Sequence, residues 1–192
     1  MAYEIQVADA DGVFAIEDYY CDGAVEPCLS QRYCEIPMSV LKASTYNLKW
    51  NNLIVAKVRA RNLYGWSLLS EANTDGARIQ TAPAKIQDLV EDNSMTSEEQ
   101  LVFRWSLLTT GSETGGTEII SYNVQYDRGT NSKTWYNLAG FVSNFIDSEY
   151  IATAEINKGT SYNVRVRARN YWGWGEFSEI LTIKASTVPD QV

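Results

Sequence analysis

From Tyr162 to Arg169 apolar and polar positions alternate strictly: Tyr162, Val164, Val166 and Ala168 on one side, Asn163, Arg165, Arg167 and Arg169 on the other. A period of two is the signature of a half-buried strand, because successive side chains leave a strand on opposite faces. The pattern also stands earlier, at Lys57-Val58-Arg59-Ala60-Arg61-Asn62, and each copy is followed two residues on by Gly-Trp, Gly65-Trp66 and Gly173-Trp174. The offset is 108 residues (165 − 57) and holds as far as Ser70-Glu71 against Ser178-Glu179. A repeat near this length that ends in such a strand predicts an all-β chain of two tandem β-sandwiches.

A second alternating pair supports the repeat. Tyr3-Glu4-Ile5-Gln6-Val7 ends at the turn Asp9-Ala10-Asp11-Gly12, and Tyr122-Asn123-Val124-Gln125-Tyr126 ends at Asp127-Arg128-Gly129, at an offset of 119 (122 − 3). The second half predicts strands over 85–90, 101–107, 120–126, 135–138, 151–156, 161–170 and 180–186, with polar loops at 91–99 and 109–116. Leu101, Phe103 and Trp105 point inward there and join Tyr122, Val124, Val164 and Val166 in the expected core. The first half predicts strands over 14–20, 53–62 and 76–80, with one helical turn over 39–44 after Pro37. Thr81-Ala82-Pro83-Ala84 is a linker, and Ser186-Thr187-Val188-Pro189-Asp190 repeats it. The expected domains are therefore 1–82 and 83–188, with 189–192 opening a linker or a further domain of a longer array.

These residues resemble the fibronectin type III family. Its F strand and the loop beyond run Tyr-x-Val-x-Val-x-Ala-x-Asn and then Gly-x-Gly-x-x-Ser, matched here by Tyr162, Val164, Val166, Ala168, Asn170, Gly173, Gly175 and Ser178. The resemblance covers the second domain whole and the first in part, and implies immunoglobulin-like sandwiches of seven strands. It makes Tyr162 the tyrosine of the corner motif, a position held by Ile54 in the first domain. It also makes the Tyr-x-Val-x-Tyr segment strand C, the third of seven, so the first domain begins at C and lacks strands A and B. Such a loss uncovers the apolar face of the remaining sheet and leaves a free edge. Either the strands are lost by truncation or a neighbouring chain donates them. Within the family, Cys21-Asp22-Gly23, Tyr33-Cys34-Glu35-Ile36-Pro37 and Tyr46-Asn47-Leu48 resemble segments of large multi-domain surface proteins of ciliated protists.

Composition narrows the function. An apolar fraction of 45% fits a folded chain, and a net charge of −8 argues against nucleic-acid and anionic-membrane surfaces. No run approaches the roughly 18 apolar residues of a membrane span. Met1-Ala2-Tyr3 lacks a signal-peptide pattern and reads as an artificial or processed start. Cys21, Cys28 and Cys34 are consistent with a disulfide in an oxidising compartment or with three thiols in a reducing one. Metal binding has weaker grounds, since there is no histidine and three thiolates are an incomplete tetrahedral set. The family resemblance favours Cys21 with Cys34, leaving Cys28 over; closing that loop would contribute roughly 2–4 kcal/mol.

The arginine rows, Arg165/Arg167/Arg169 and Lys57/Arg59/Arg61, admit two readings. One is a surface for an anionic ligand; the other, favoured by the overall charge, is a structural ladder with Arg165, Arg167 and Arg169 stacked on Trp172 or Trp174, and Arg59 and Arg61 on Trp66. Trp135, Tyr136 and Phe141 suggest an exposed aromatic platform for a sugar or a protein, against plain edge packing. Asp9 to Tyr20 fails as a calcium loop, with Val13 and Tyr20 where acidic ligands belong. No nucleophile motif or phosphate loop is present, and no catalytic residue, metal or cofactor is expected. The sequence thus points to a non-enzymatic extracellular or cell-surface structural and adhesive module. Its partners are proteins or other copies of itself, with no nucleic acid and no direct membrane contact. The alternative is a receptor ectodomain that binds a ligand at the elbow near Thr81 to Lys85.

Overall fold

The computed structural model describes residues 1–186. The chain divides into two compact units, Met1–Gln80 and Thr81–Val192. The second linker-like stretch, over residues 187–190, lies outside the described residues.

In the first unit β1 (Ala2–Ala8) turns back through Asp9 into β2 (Phe14–Ile16). The Asp9 carboxylate accepts the N–H groups of Asp11 and Val13, each at 2.9 Å, so it serves the turn. Two short helices follow, α1 (Cys28–Gln31) and α2 (Met38–Lys42), then β3 (Ala56–Asn62) and β4 (Gly65–Trp66). The strands form one antiparallel sheet in the order β2-β1-β3-β4. The strand expected over 14–20 stops at Ile16. Glu17 turns inward there, and its carboxylate accepts the N–H groups of Tyr19 and Tyr20 and the hydroxyl of Tyr46. The strand expected over 76–80 is reduced to a single bridge, Leu53 to Arg78, and β3 starts three residues late. The side chain of Asn73 is the reason. Its Oδ1 accepts the Ala56 N–H at 2.7 Å and its Nδ2 donates to the Ile54 carbonyl at 3.0 Å, standing in for a partner strand.

Part of this sheet's apolar face is covered from within the unit. The segment containing α2 packs Leu41, Tyr46 and Leu48 with Val7 and Ile79 in a small buried cluster. Farther along the same face Val58 is 43% exposed, Tyr3 and Ile5 are half-buried and Ala60 is exposed.

The second unit contains β5 (Val90–Glu91), β6 (Leu101–Arg104), the single turn α3 (Gly111–Thr114), β7 (Ser121–Tyr126), β8 (Tyr136–Ala139), β9 (Glu149–Ala152), β10 (Ser161–Asn170), β11 (Gly173–Trp174) and β12 (Leu181–Lys184). One sheet runs β5-β6-β9; the other runs β11-β10-β7-β8, with β12 also paired to β10. Leu101, Phe103 and Trp105 bury against Tyr122, Val124, Tyr126, Tyr162, Val164 and Val166. The Trp105 ring lies 5.8 Å from that of Tyr122. The Tyr162 hydroxyl donates to the Glu155 carbonyl at 3.1 Å and accepts the Asn157 N–H at 2.7 Å, closing the corner before β10.

The edges differ most from the periodic pattern. The strand expected over 85–90 pairs only at its end, while Ile86 is buried as an anchor. The one expected over 151–156 sits at Glu149–Ala152, because Glu155 adopts φ +58° and turns the chain toward the corner. Within the 109–116 loop α3 carries a capping box between Thr110 and Glu113. Beyond it, Asn170 Nδ2 donates to the carbonyls of Thr81 and Thr114, both at 2.7 Å.

The two larger sheets share a register. Tyr3 faces Ala60 in the first unit and Tyr122 faces Ala168 in the second, so the offsets of 119 (122 − 3) and 108 (168 − 60) meet on the same rung. Replacing Asn73 with alanine leaves two backbone groups without this partner. Asn73→Ala is expected to destabilise the first unit by about 1–3 kcal/mol, measured as faster hydrogen exchange at the Ala56 amide and a lower urea midpoint.

Candidate functional site

β10 lies between β7 and the β11/β12 edge, and its inward row is fully buried. That burial fixes which way the outward row points. Arg165 lies between two rings, its Cζ 3.9 Å from the Trp135 centroid and 4.0 Å from that of Phe177. Arg167 follows, 4.3 Å from Phe177 and 4.8 Å from Trp174, and Arg169 lies 5.0 Å from Trp174. Rings and guanidiniums thus alternate along the strand, and Phe141 stacks on Trp174 at 6.3 Å. Each contact is worth roughly 0.5–2 kcal/mol, more where water is displaced. Trp172, assigned to the row from sequence, meets Tyr171 edge-on at 5.2 Å, and Trp135 and Phe177 supply the other rings. Phe177 was legible in principle: it adjoins Ser178, whose side chain turns inward.

The shared aromatic platform expected from Trp135, Tyr136 and Phe141 is not formed. Tyr136 packs edge-on against Tyr126 at 6.4 Å and under Arg128 at 3.9 Å, on the opposite face from Trp135. Adjacent residues at a strand's start cannot share a face. Phe141 joins Trp174 instead.

Amide oxygens hold the guanidiniums in place. Gln125 Oε1 accepts from Arg165 Nε and Nη2 at 2.9 and 2.8 Å, Asn123 Oδ1 from Arg167 Nε at 3.3 Å, and Asn144 Oδ1 from Arg169 Nη2 at 2.9 Å. Burial pulls Arg165 and Arg167 below the usual arginine range, and the charge of Arg167 adds to the effect on Arg165.

The first unit repeats the construction with a different charge balance. Arg59 and Arg61 lie over Trp66 at 4.8 and 5.8 Å, and Lys57 over Phe14 at 4.5 Å. Arg59 also pairs with Glu4 at 2.6 Å, and that hydrogen bond holds the Glu4 carboxyl below its ordinary range. Behind each row a serine continues the sheet. Ser178 Oγ accepts the Val166 N–H at 3.0 Å, as Ser70 Oγ accepts the Val58 N–H at 3.1 Å. Gly175 has no such freedom of side chain, since a Cβ there would lie 2.4 Å from the Pro83 carbonyl oxygen.

Other chemistry is structural. Cys21 and Cys34 form a disulfide with Cα atoms 5.2 Å apart. Cys28 is a buried thiol that burial pushes up in pKa, with a smaller contribution from Asp22. Among the described residues no group of three or more acidic, cysteine or histidine side chains could hold a metal ion. No helix among them is long and apolar enough to cross a membrane.

A family model described as the fibronectin type III domain matches residues 84–184, more than half of the chain. The chain belongs to the fibronectin type III family. Its all-β, immunoglobulin-like architecture follows from that membership and from the sheets above. Domains of this family are structural modules of the kind found in adhesion proteins; they are generally non-catalytic, typically extracellular and commonly mediate protein interactions. No match was found among curated proteins. Similar solved structures include a crystal structure of titin domains, at 20% identity, covering 69% of this chain and 41% of that one with a TM-score of 0.46. The FN1-FN3 domains of chicken CNTN1 match at 18% identity over 97% of this chain and 56% of that one, TM-score 0.45. The sixth fibronectin type III domain of human fibronectin type III domain containing protein 3 matches at 16% over 62% and 98%, TM-score 0.45.

Two outcomes follow from the rows. Trp174→Ala removes a ring shared by two guanidiniums and is expected to cost the second unit about 1–3 kcal/mol, read as a lower urea midpoint. Because the Glu4 carboxyl is lowered, its pairing stabilises the first unit above the unfolded carboxyl pKa and is lost as pH falls through the folded value. An NMR titration should give Glu4 a midpoint below that of ordinary glutamate, and Arg59→Gln should restore it.

Proposed function

We propose that the chain is a non-enzymatic extracellular structural and adhesive module, a segment of a tandem fibronectin type III array. In this reading the first unit is a partial domain, strands C to G, whose open sheet face takes up a strand from a neighbouring chain. The observation that carries the proposal is the incomplete cover of the first unit's sheet. In the second unit Tyr122, Val124, Val166 and Ala168 are at most 2% exposed, sealed by the sheet that contains β6. Their register counterparts are Tyr3, Ile5, Val58 and Ala60. Tyr3, Ile5 and Val58 line an open, mainly apolar cavity of about 320 Å³ together with Cys28 and Tyr33.

An exposed apolar surface of this kind favours association. By analogy with the second unit, this reading calls for a strand with large apolar residues at alternate positions, as in Leu101, Phe103 and Trp105. The Cys21–Cys34 disulfide supports an oxidising compartment and limits the unfolded freedom of a unit that has few strands.

Sedimentation equilibrium of the 192-residue chain under non-reducing conditions tests this reading. Association that grows with concentration and is suppressed by Val58→Lys is the expected result. A chain that remains monomeric at every concentration, with one cooperative melt, would remove the basis for completion between chains.

A further inference from the structure

The open cavity of the first unit is bounded by more than the sheet. The sheet contributes Tyr3, Ile5 and Val58, and α1 closes one side with Cys28 and Arg32. Tyr33 and the disulfide-bonded Cys34 complete the wall, so the segment that carries α1 is tied at both ends by the Cys21–Cys34 bond. A mainly apolar concavity of about 320 Å³ has the size of a small-molecule site, for which roughly 300–1,000 Å³ is usual.

One charge stands in this lining. Arg32 caps the C-terminal end of α1 and is exposed at the rim. Among the described residues no side chain forms an ion pair or a hydrogen bond with its guanidinium. No carboxylate lines the cavity. The acids of the loop before α1 are engaged locally, Asp22 by the Ala24 N–H at 2.9 Å and Glu26 by the Ser30 N–H at 3.3 Å. Burial, with a smaller contribution from Asp22, pushes the Cys28 thiol up in pKa, so it adds no negative charge.

We propose that this cavity binds a small amphipathic carboxylate, with its aliphatic tail on Tyr3, Ile5 and Val58 and its head group on Arg32. An apolar tail leaves no polar group unpaired against such walls. The planar edge of a guanidinium offers two parallel hydrogen bonds to the two oxygens of a carboxylate. A cation would meet the charge of Arg32, and an anion without a tail would leave the apolar walls in water. The ligand lies on the face that takes up a neighbouring strand in the reading above, so the two occupants compete. That competition rests on the earlier reading, whereas the binding itself does not.

The test is an NMR titration of the full chain with octanoate, octanol and octylammonium, followed at the Val58 methyl groups and the Arg32 Nε–H. Octanoate is expected to bind more tightly than either other probe, and about fourfold more tightly for each methylene added from hexanoate upward. Arg32→Gln, at an exposed position, should weaken octanoate roughly tenfold and leave octanol unchanged. Octylammonium is the control, because a chain of net charge −8 attracts cations and unspecific uptake would favour it. No shift at Val58, equal affinity for octanoate and octanol, or a preference that survives Arg32→Gln would overturn the proposal. Sedimentation with and without saturating octanoate separates the two readings. Association lost on adding octanoate supports the competition, and association unchanged by bound octanoate overturns it. A chain that never associates removes the docking reading and leaves the carboxylate site standing.

Discussion

A sheet whose inward row is Tyr122, Val124, Tyr126, Tyr162, Val164 and Val166 persists in water only if another layer lies over it. In the second unit that layer is the β5-β6-β9 sheet, and the fit is close enough to exclude solvent from nearly all of these side chains. The outward row follows from the inward one. Once the apolar residues of β10 are locked downward, its arginines can only rise from the opposite face, where rings from neighbouring segments meet them.

The first unit meets the same requirement by other means. Its cover is a short helical segment over one end of the sheet, with a disulfide closing the loop that precedes it. The buried Glu17 carboxylate, tied to Tyr46 and two backbone N–H groups, anchors that segment by polar contacts. Burial and the Glu17 bond push the Tyr46 hydroxyl strongly up in pKa, keeping it a donor. What the segment does not reach stays open, and the functional reading of the unit depends on that opening.

The regular strands were legible because they alternate: β1, β7 and β10 lie where period two places them. Elements set by single polar side chains were not. No periodicity foretells that Asn73 will pair with β3 in place of a strand, or that Glu155 will take a left-handed turn. The turn α3 had a signal, Thr110 followed by Glu113, hidden in a stretch read only as polar. In the site, the arginine row followed from alternation, whereas its rings come from distant segments that only the folded arrangement unites. Trp135 and Tyr136 show the limit of adjacency, since neighbours in sequence divided between the two faces.

Asn170 has a mechanical consequence. Its amide fastens the Thr81 carbonyl, where the second unit begins, to the end of β10. A pull applied there is carried into the central strand, loading the sheet in shear across many hydrogen bonds at once. Without that tether more of the same pull would fall on the segment leading to β5, whose ladder is two residues long. One buried side chain thus helps to route tension into the strongest part of the sandwich, beside the backbone bonds of Thr81 and Ala84 to the α3 loop.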